Sequence, residues 1–285
     1  MKKIIERLII FFVGLPALLA LIIFIPHHNH LALNLVLTIF SALGALEFRN
    51  MLAKKDLHIS APETAILGAL IPMVWTLVVS FDVAIILAIA AVALGTLWII
   101  ASRVFTAKDK FDSCIGTIVA GFAVMMYPGF FMAWVIQMAA LEQATMVILI
   151  FCLVVFLNDS LAWAAGMLFG KNNRGLVPAS PNKSIAGFAG GLAFSVLSGL
   201  AAAAFIPDVF SSTVMPSIPA GALLGFFAGI AATLGDLGES VLKRSSGVSD
   251  SGSFVLGRGG ALDCMDSVAM AAPVFYILYF FLFYT

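Results

Sequence analysis

The sequence predicts an all-α polytopic membrane protein with about nine transmembrane helices and a cytoplasmic N-terminus. Three observations carry this. Hydrophobic residues make up 62% of the 285 and charged residues only 11%, against about 25% charged in a soluble domain, and the mean hydropathy is +1.11. The apolar residues run continuously instead of alternating with polar ones, which leaves helices rather than a barrel as the way to satisfy the backbone in lipid. The basic residues recur after every second apolar run, as they must if all of them stay on one side of a membrane.

A crossing helix needs about 20 apolar residues. Runs of that kind cover 8–25, 31–48, 64–80, 83–101, 115–138, 144–169, 186–206, 217–235 and 267–284. The first follows Lys2, Lys3 and Arg7 and is similar to a signal peptide, but it is long and no small-x-small cleavage site follows, so an uncleaved helix is expected. Arg49, Lys54 and Lys55 follow the second run. Arg103, Lys108 and Lys110 follow the fourth, and Lys171, Arg174 and Lys183 the sixth. Lys243, Arg244 and Arg258 follow the eighth. The opposite connections carry only the acids Asp82, Glu142 and Asp208. The basic side is therefore expected to be cytoplasmic. Lys+Arg and Asp+Glu balance at 15 each, so net charge points to no partner, and no nucleic-acid partner is expected. The cysteines Cys114, Cys152 and Cys264 have neither disulfide nor zinc spacing. His27, His28 and His30 read as a short polar turn.

The chain reads as a single integral membrane domain over 1–285, with an N-terminal helical half, 1–113, nearly free of intramembrane charge. The catalytic-like half is 114–285. Two of the basic-side connections, 170–185 and 236–266, are long, polar and rich in Gly, Ser and Asp, and long loops are where function concentrates.

Four constellations could carry chemistry. Asp159 lies within an apolar helix, at a cost of about 2.5–3.5 kcal/mol on insertion scales. It shares a face with Ala162, Trp163, Gly166 and Gly170, whose small residues permit close helix approach. A packing face beside a water-filled vestibule is the competing account. Pro178 and Pro181 fix a loop holding Ser180, Asn182 and Lys183 at a helix start, which suits a phosphate. A capped start with a snorkelling lysine is the plainer account. Asp236, Ser240 and Lys243 fall at i, i+4 and i+7, with Arg244 beside them. A Glu239–Lys243 surface pair alone is the competing account. Last come Ser249-Asp250, Gly257-Arg258-Gly259-Gly260 and Asp263-Cys264-Met265-Asp266. Glycines let a backbone approach a ligand. Carboxylates at i, i+3 suit a hard divalent cation such as Mg²⁺, held by one or two carboxylates plus substrate phosphates, although acids at a helix start also complement its dipole.

In this order the motifs resemble those of the phosphatidate cytidylyltransferase family, most specifically from Asn158 to Asp266, with Glu47-Phe48 at the end of the second run also similar. The family's Ser, Lys and Arg, its Lys-Asp, its His-Gly-Gly and its Asp-Arg-x-Asp stand here as Ser240, Lys243, Arg244, Ser249-Asp250, Arg258-Gly259-Gly260 and Asp263-Cys264-Met265-Asp266. Ser249 replaces the family lysine, Arg258 the histidine, Cys264 the arginine, and Ala186 a glutamate three residues after Lys183. The resemblance implies transfer of a cytidylyl group from CTP to phosphatidate, giving CDP-diacylglycerol and pyrophosphate, in the plasma (inner) membrane with the active site facing the cytoplasm. It implies catalytic roles for Asp236, Lys243, Asp250, Asp263 and Asp266, with Asp263 and Asp266 as ligands of Mg²⁺. Ser180, Lys183, Ser240, Arg244, Arg258, Gly259, Gly260 and Asp159 would bind substrate. The expected partners are CTP, phosphatidate and membrane lipids. Gly187-xxx-Gly191 suits a homodimer or internal packing alike. A relative shifted in substrate, or one that binds lipid or nucleotide without catalysis, stays open. So does an ion-coupled transporter using Asp159 and Asp236, though acids clustered with bases at one face argue against it.

Overall fold

The computed structural model describes residues 10–105, 108–255, 257 and 259–284. Lys2, Lys3, Arg7 and Arg258 lie outside the described residues, as do the first residues of the run 8–25 and the side chains of Lys108 and Lys110. Every regular element among those described is helical, apart from two isolated bridges. In order they are α1 (Leu15–Phe24), α2 (His27–Ala53), α3 (Ala61–Phe81), α4 (Ile86–Val104), α5 (Cys114–Val124), α6 (Phe131–Met138), α7 (Ala144–Phe169), α8 (Ile185–Phe205), α9 (Ser217–Ser246) and α10 (Leu262–Tyr279). A wider turn, Met125–Phe130, joins α5 to α6 and contains Pro128, whose missing N–H and ring do not fit an ordinary α-turn. Among the described residues eight helical stretches are long and apolar enough to cross a membrane, and Phe12–Phe24 is a shorter apolar one. The molecule is an all-α polytopic membrane protein.

Three boundaries depart from the sequence expectation. Helix α2 reaches Ala53, not residue 48, and His28, Asn29 and His30 before its regular part have φ of 50°, 52° and 58°, a left-handed run that non-glycine residues rarely adopt. Helix α9 continues to Ser246 where the apolar run stops at 235, because the charged residues beyond keep the helical period. Helix α10 starts at Leu262 rather than 267, which places Asp263 and Asp266 in its first turns.

The fold divides into two compact units. The first comprises residues up to Ala140 together with Leu242–Met265; the second comprises Leu141–Val241 and Asp266–Thr285. The first unit is centred on α2 and α3. Its core joins Ala45, Phe48, Met51, Leu67, Ile71, Ile99, Val124 and Met125, and Leu262 from the segment that follows the glycine-rich loop. Ser41 Oγ lies 2.7 Å from the carbonyls of both Gly68 and Pro128, and its single hydrogen serves one of them at a time.

In the second unit α7 and α8 pack closely through small residues. A Cβ on Gly187 would stand 2.7 Å from the Ala162 carbonyl, and one on Gly191 2.7 Å from that of Asn158, so the face carrying Ala162 and Gly166 is a tight helix contact. The Asn158 amide, buried, donates to Ser195 Oγ at 2.9 Å and to the Gly229 carbonyl at 3.3 Å, and its Oδ1 accepts from Thr233 Oγ1 at 3.3 Å. Phe151 and Phe275, both fully buried, meet edge to face at 5.2 Å.

Candidate functional site

Ser184 opens α8. Its Oγ accepts from Gly187 N at 3.0 Å, satisfying one of the N–H groups a helix start leaves without an intrahelical partner. The loop before it closes on itself. Ile185 N donates to the Asn173 carbonyl at 3.0 Å, Ser180 N to the Val177 carbonyl at 3.0 Å, and Lys183 N to the Ser180 carbonyl at 3.1 Å. Ser180, half-buried, therefore sets the turn that presents Lys183. The Lys183 ammonium forms an ion pair with Asp236 on α9. Replacing Ser184 by alanine is expected to lower stability by about 1 kcal/mol, the usual worth of such a cap. Thermal unfolding in detergent checks this, and an unchanged midpoint would mean that the cap is not what holds the loop.

The same unit holds Asp159 and Asp266. Asp159, half-buried, accepts from Ser267 Oγ at 3.3 Å. Asp266 is 8% exposed, and its Oδ1 accepts from Ser267 N at 2.6 Å. Ser240 is half-buried on α9, and Glu239 is fully buried.

In the first unit a glycine-rich loop surrounds one carboxylate. The Oδ2 of Asp263 accepts from Ser251 N at 3.0 Å, Ser251 Oγ at 2.9 Å and Gly260 N at 2.7 Å. Its Oδ1 meets Lys243 Nζ at 2.7 Å, with side-chain exposures of 8% for the aspartate and 18% for the lysine. Gly259 has φ +105°, and a Cβ there would stand 2.5 Å from Asp263 Oδ2, so both the conformation and the approach require glycine. Val255 and Gly259 exchange backbone hydrogen bonds at 2.8 and 3.1 Å, closing a tight hairpin around Gly257. Asp250, exposed beside Gly259, accepts from Ser249 Oγ at 2.9 Å. Ser249, the departure from the family lysine, thus gives that carboxylate a neutral donor. Arg244 is exposed.

The sequence-derived candidates fall into two sets. Lys243, Asp250, Gly259, Gly260 and Asp263 gather in the first unit, while Lys183 with Asp236, and Asp159 with Ser267 and Asp266, belong to the second. Sequence reasoning assigned no role to Ser251, Ser267 or Glu47. No group of three or more His, Cys, Asp or Glu side chains suited to a metal ion occurs among the described residues.

A sequence model of the cytidylyltransferase family matches residues 5–282. The chain belongs to this family. Among curated cytidylyltransferases, it is 34% identical to the phosphatidate cytidylyltransferase of Bacillus subtilis (strain 168) over 157 residues, 54% of this chain and 55% of that protein. It is 32% identical to that of Aquifex aeolicus over 156 residues, 54% of each chain. The enzyme of the same name from Haemophilus influenzae is 39% identical over 133 residues, 45% of this chain and 44% of the other. The chain thus spans about half the length of the curated relatives it matches.

Proposed function

We propose that this member of the cytidylyltransferase family makes CDP-diacylglycerol from CTP and phosphatidate and releases pyrophosphate. The observation that carries the proposal is the pairing of each key lysine with an aspartate at the edge of a glycine-containing loop: Lys243 with Asp263 and Lys183 with Asp236. Family membership and the relatives' names support the same substrates.

The reaction forms a bond between a phosphatidate oxygen and the α-phosphorus of CTP and breaks the bond from that phosphorus to the bridging β-phosphate oxygen. The attacking lipid phosphate is already an anion near neutral pH, so no side chain has to remove a proton from it. What the protein supplies is positioning and charge neutralisation. Lys183 is held at the start of α8 by its capped loop and by Asp236, and Lys243 is held by Asp263. These two amines, with Arg244 and Arg258, offset phosphate charge. Gly259 and Gly260 let the loop close around Asp263 and Glu47 and so carry the groups that meet a phosphate, and Ser180 and Ser240 add hydroxyl donors. Asp250, held by Ser249, is assigned to catalysis, and Asp159, held by Ser267, to the support of the bound substrate.

The donor set suits Mg²⁺. Asp263 and Asp266 stand three residues apart in the first turns of one helix, and their hard oxygens match a cation that takes one or two carboxylates. Asp263 Oδ1 already faces a cationic amine at 2.7 Å. When bound, the ion would neutralise charge on the triphosphate and the lipid phosphate. We further place the basic connections and the site on the cytoplasmic face of the plasma membrane, where CTP is available.

The test is pyrophosphate release by the purified protein in detergent with phosphatidate, CTP and Mg²⁺. Release is expected to require all three and to stop on chelation. A folded protein that releases none would refute the proposal.

A further inference from the structure

One buried acid is not used by the chemistry above. Glu47, near the end of α2, is 9% exposed. Its partners lie 204 to 215 residues further along the chain: Oε2 accepts from Ser251 Oγ at 3.1 Å and from Leu262 N at 2.9 Å, and Oε1 accepts from Ala261 N at 3.0 Å. The loop is shaped around this carboxylate. A Cβ on Gly252 would stand 2.1 Å from Glu47 Oε1, and one on Gly260 2.2 Å from Oε2 and 2.1 Å from Ser251 Oγ. A Cβ at either position would have to push the Glu47 carboxylate or the Ser251 hydroxyl out of place, so the two glycines leave room for the acid they enclose.

Ser251 links this acid to the one proposed to act in catalysis. Its Oγ lies 3.1 Å from Glu47 Oε2 and 2.9 Å from Asp263 Oδ2, and it accepts from Asp263 N at 3.2 Å. A hydroxyl has one hydrogen, so the two carboxylates share a single donor, and the orientation of one constrains the other. The remaining donors to Asp263 Oδ2, Gly260 N and Ser251 N, come from the same segment that Glu47 holds. That leaves Asp263 Oδ1, the oxygen facing Lys243, aimed by the loop.

We infer that Glu47 is a positioning residue: acting through Ser251 and the Gly260–Leu262 backbone, it fixes the Asp263 carboxylate so that one oxygen is committed to the loop and the other to a cation. The kinetic consequence rests on the cytidylyltransferase function; the positioning itself does not.

The experiment compares wild type, Glu47→Gln, Ser251→Ala and the double variant, purified in detergent. It follows kcat, KM for CTP, the Mg²⁺ concentration giving half-maximal rate, and hydrogen exchange over residues 249–262. In Glu47→Gln an NH₂ group replaces one of the acceptors. The expected result is a loss of about 10–100-fold in kcat or in Mg²⁺ affinity, the usual effect of removing a group that orients a ligand, with KM for CTP little changed. Exchange across 249–262 is expected to rise. Ser251→Ala should move the same quantities less, and the double variant should be no worse than Glu47→Gln, because both act on one network. Wild-type kcat and Mg²⁺ dependence in Glu47→Gln would overturn the inference. So would an activity loss that only follows the folded fraction. If wild type itself releases no pyrophosphate, the proposed reaction fails, and exchange remains decisive: protection over 249–262 unchanged in Glu47→Gln overturns the positioning role.

Discussion

Replacing Asp263 by alanine is expected to abolish pyrophosphate release and to destabilise the protein by about 3 kcal/mol, the low end for breaking a buried ion pair from one side. The low end applies because Lys243 keeps some access to water. The substitution also strips acceptors from Ser251 N, Ser251 Oγ and Gly260 N, and a buried donor left without a partner costs about 1–3 kcal/mol where water cannot enter. Asparagine separates the two roles. Its carbonyl can still accept from the loop, but its NH₂ then faces the lysine ammonium across the 2.7 Å contact. Asp263→Asn should therefore retain most of the stability and still lose activity. Adding Lys243→Met to Asp263→Ala should cost less than Lys243→Met alone, with a coupling of about 0.5–3 kcal/mol between groups in contact. Thermal unfolding and the pyrophosphate assay read both effects. An active Asp263→Asn would remove this carboxylate from the chemistry.

A second large effect is expected where α8 crosses α9 within the second unit. A Cβ on Gly199 would stand 2.0 Å from the Gly221 carbonyl oxygen, one on Gly221 2.3 Å from that of Gly199, and one on Gly225 2.1 Å from that of Ser195. The obstacles are backbone atoms, which no rotamer change can move aside. Gly221→Ala is expected to cost about 1–3 kcal/mol, the usual range for overpacking a filled site, and Gly221→Leu to prevent folding. Gly199→Ala with Gly221→Ala should cost less than the sum, because one separation of the helices relieves both clashes. Gly238, also on α9, supplies the control. A Cβ there meets nothing within 4 Å, so Gly238→Ala should raise stability by about 0.5–1 kcal/mol through helix propensity alone. Equal unfolding midpoints for Gly221→Ala and wild type would show that the crossing is looser than these distances state.

Continuous apolar runs made the all-α membrane architecture legible, since helices are the only way such runs can satisfy their backbone in lipid. Hydropathy misplaced the C-terminal end of α9 and the start of α10, because it reads Asp236, Glu239, Lys243, Arg244 and Asp263 as solvent-seeking. Ion pairs within each unit hold Asp236, Lys243 and Asp263, which remain helical. Spacing identified Lys243 and Asp263 as candidates, and helix continuation through Ser246 keeps the former on the predicted helix. The pairing of Lys183 with Asp236 was not legible, because a loop residue and a helix residue 53 positions apart leave no periodic trace. Glu47 was legible as an acid at the end of an apolar run and as part of a Glu47-Phe48 pair similar to the family's, but its role was not. Its partners belong to the final quarter of the chain, and local pattern carries no information at that range.

The distance along the chain between Glu47 and its donors gives the protein a schedule as well as a shape. Ribosomes add about 5–20 residues per second, so the 204–215 residues separating the acid from Ser251, Ala261 and Leu262 take about 10–40 s to make. Throughout that interval α2 can be in the membrane while the groups that will enclose its carboxylate do not yet exist. Water, lipid headgroups or the insertion machinery must solvate Glu47 until they arrive. The segment around Ser251–Leu262 therefore encloses an acid made long before it, and a nascent chain stopped before Ser251 carries an acid that none of its intended donors can reach.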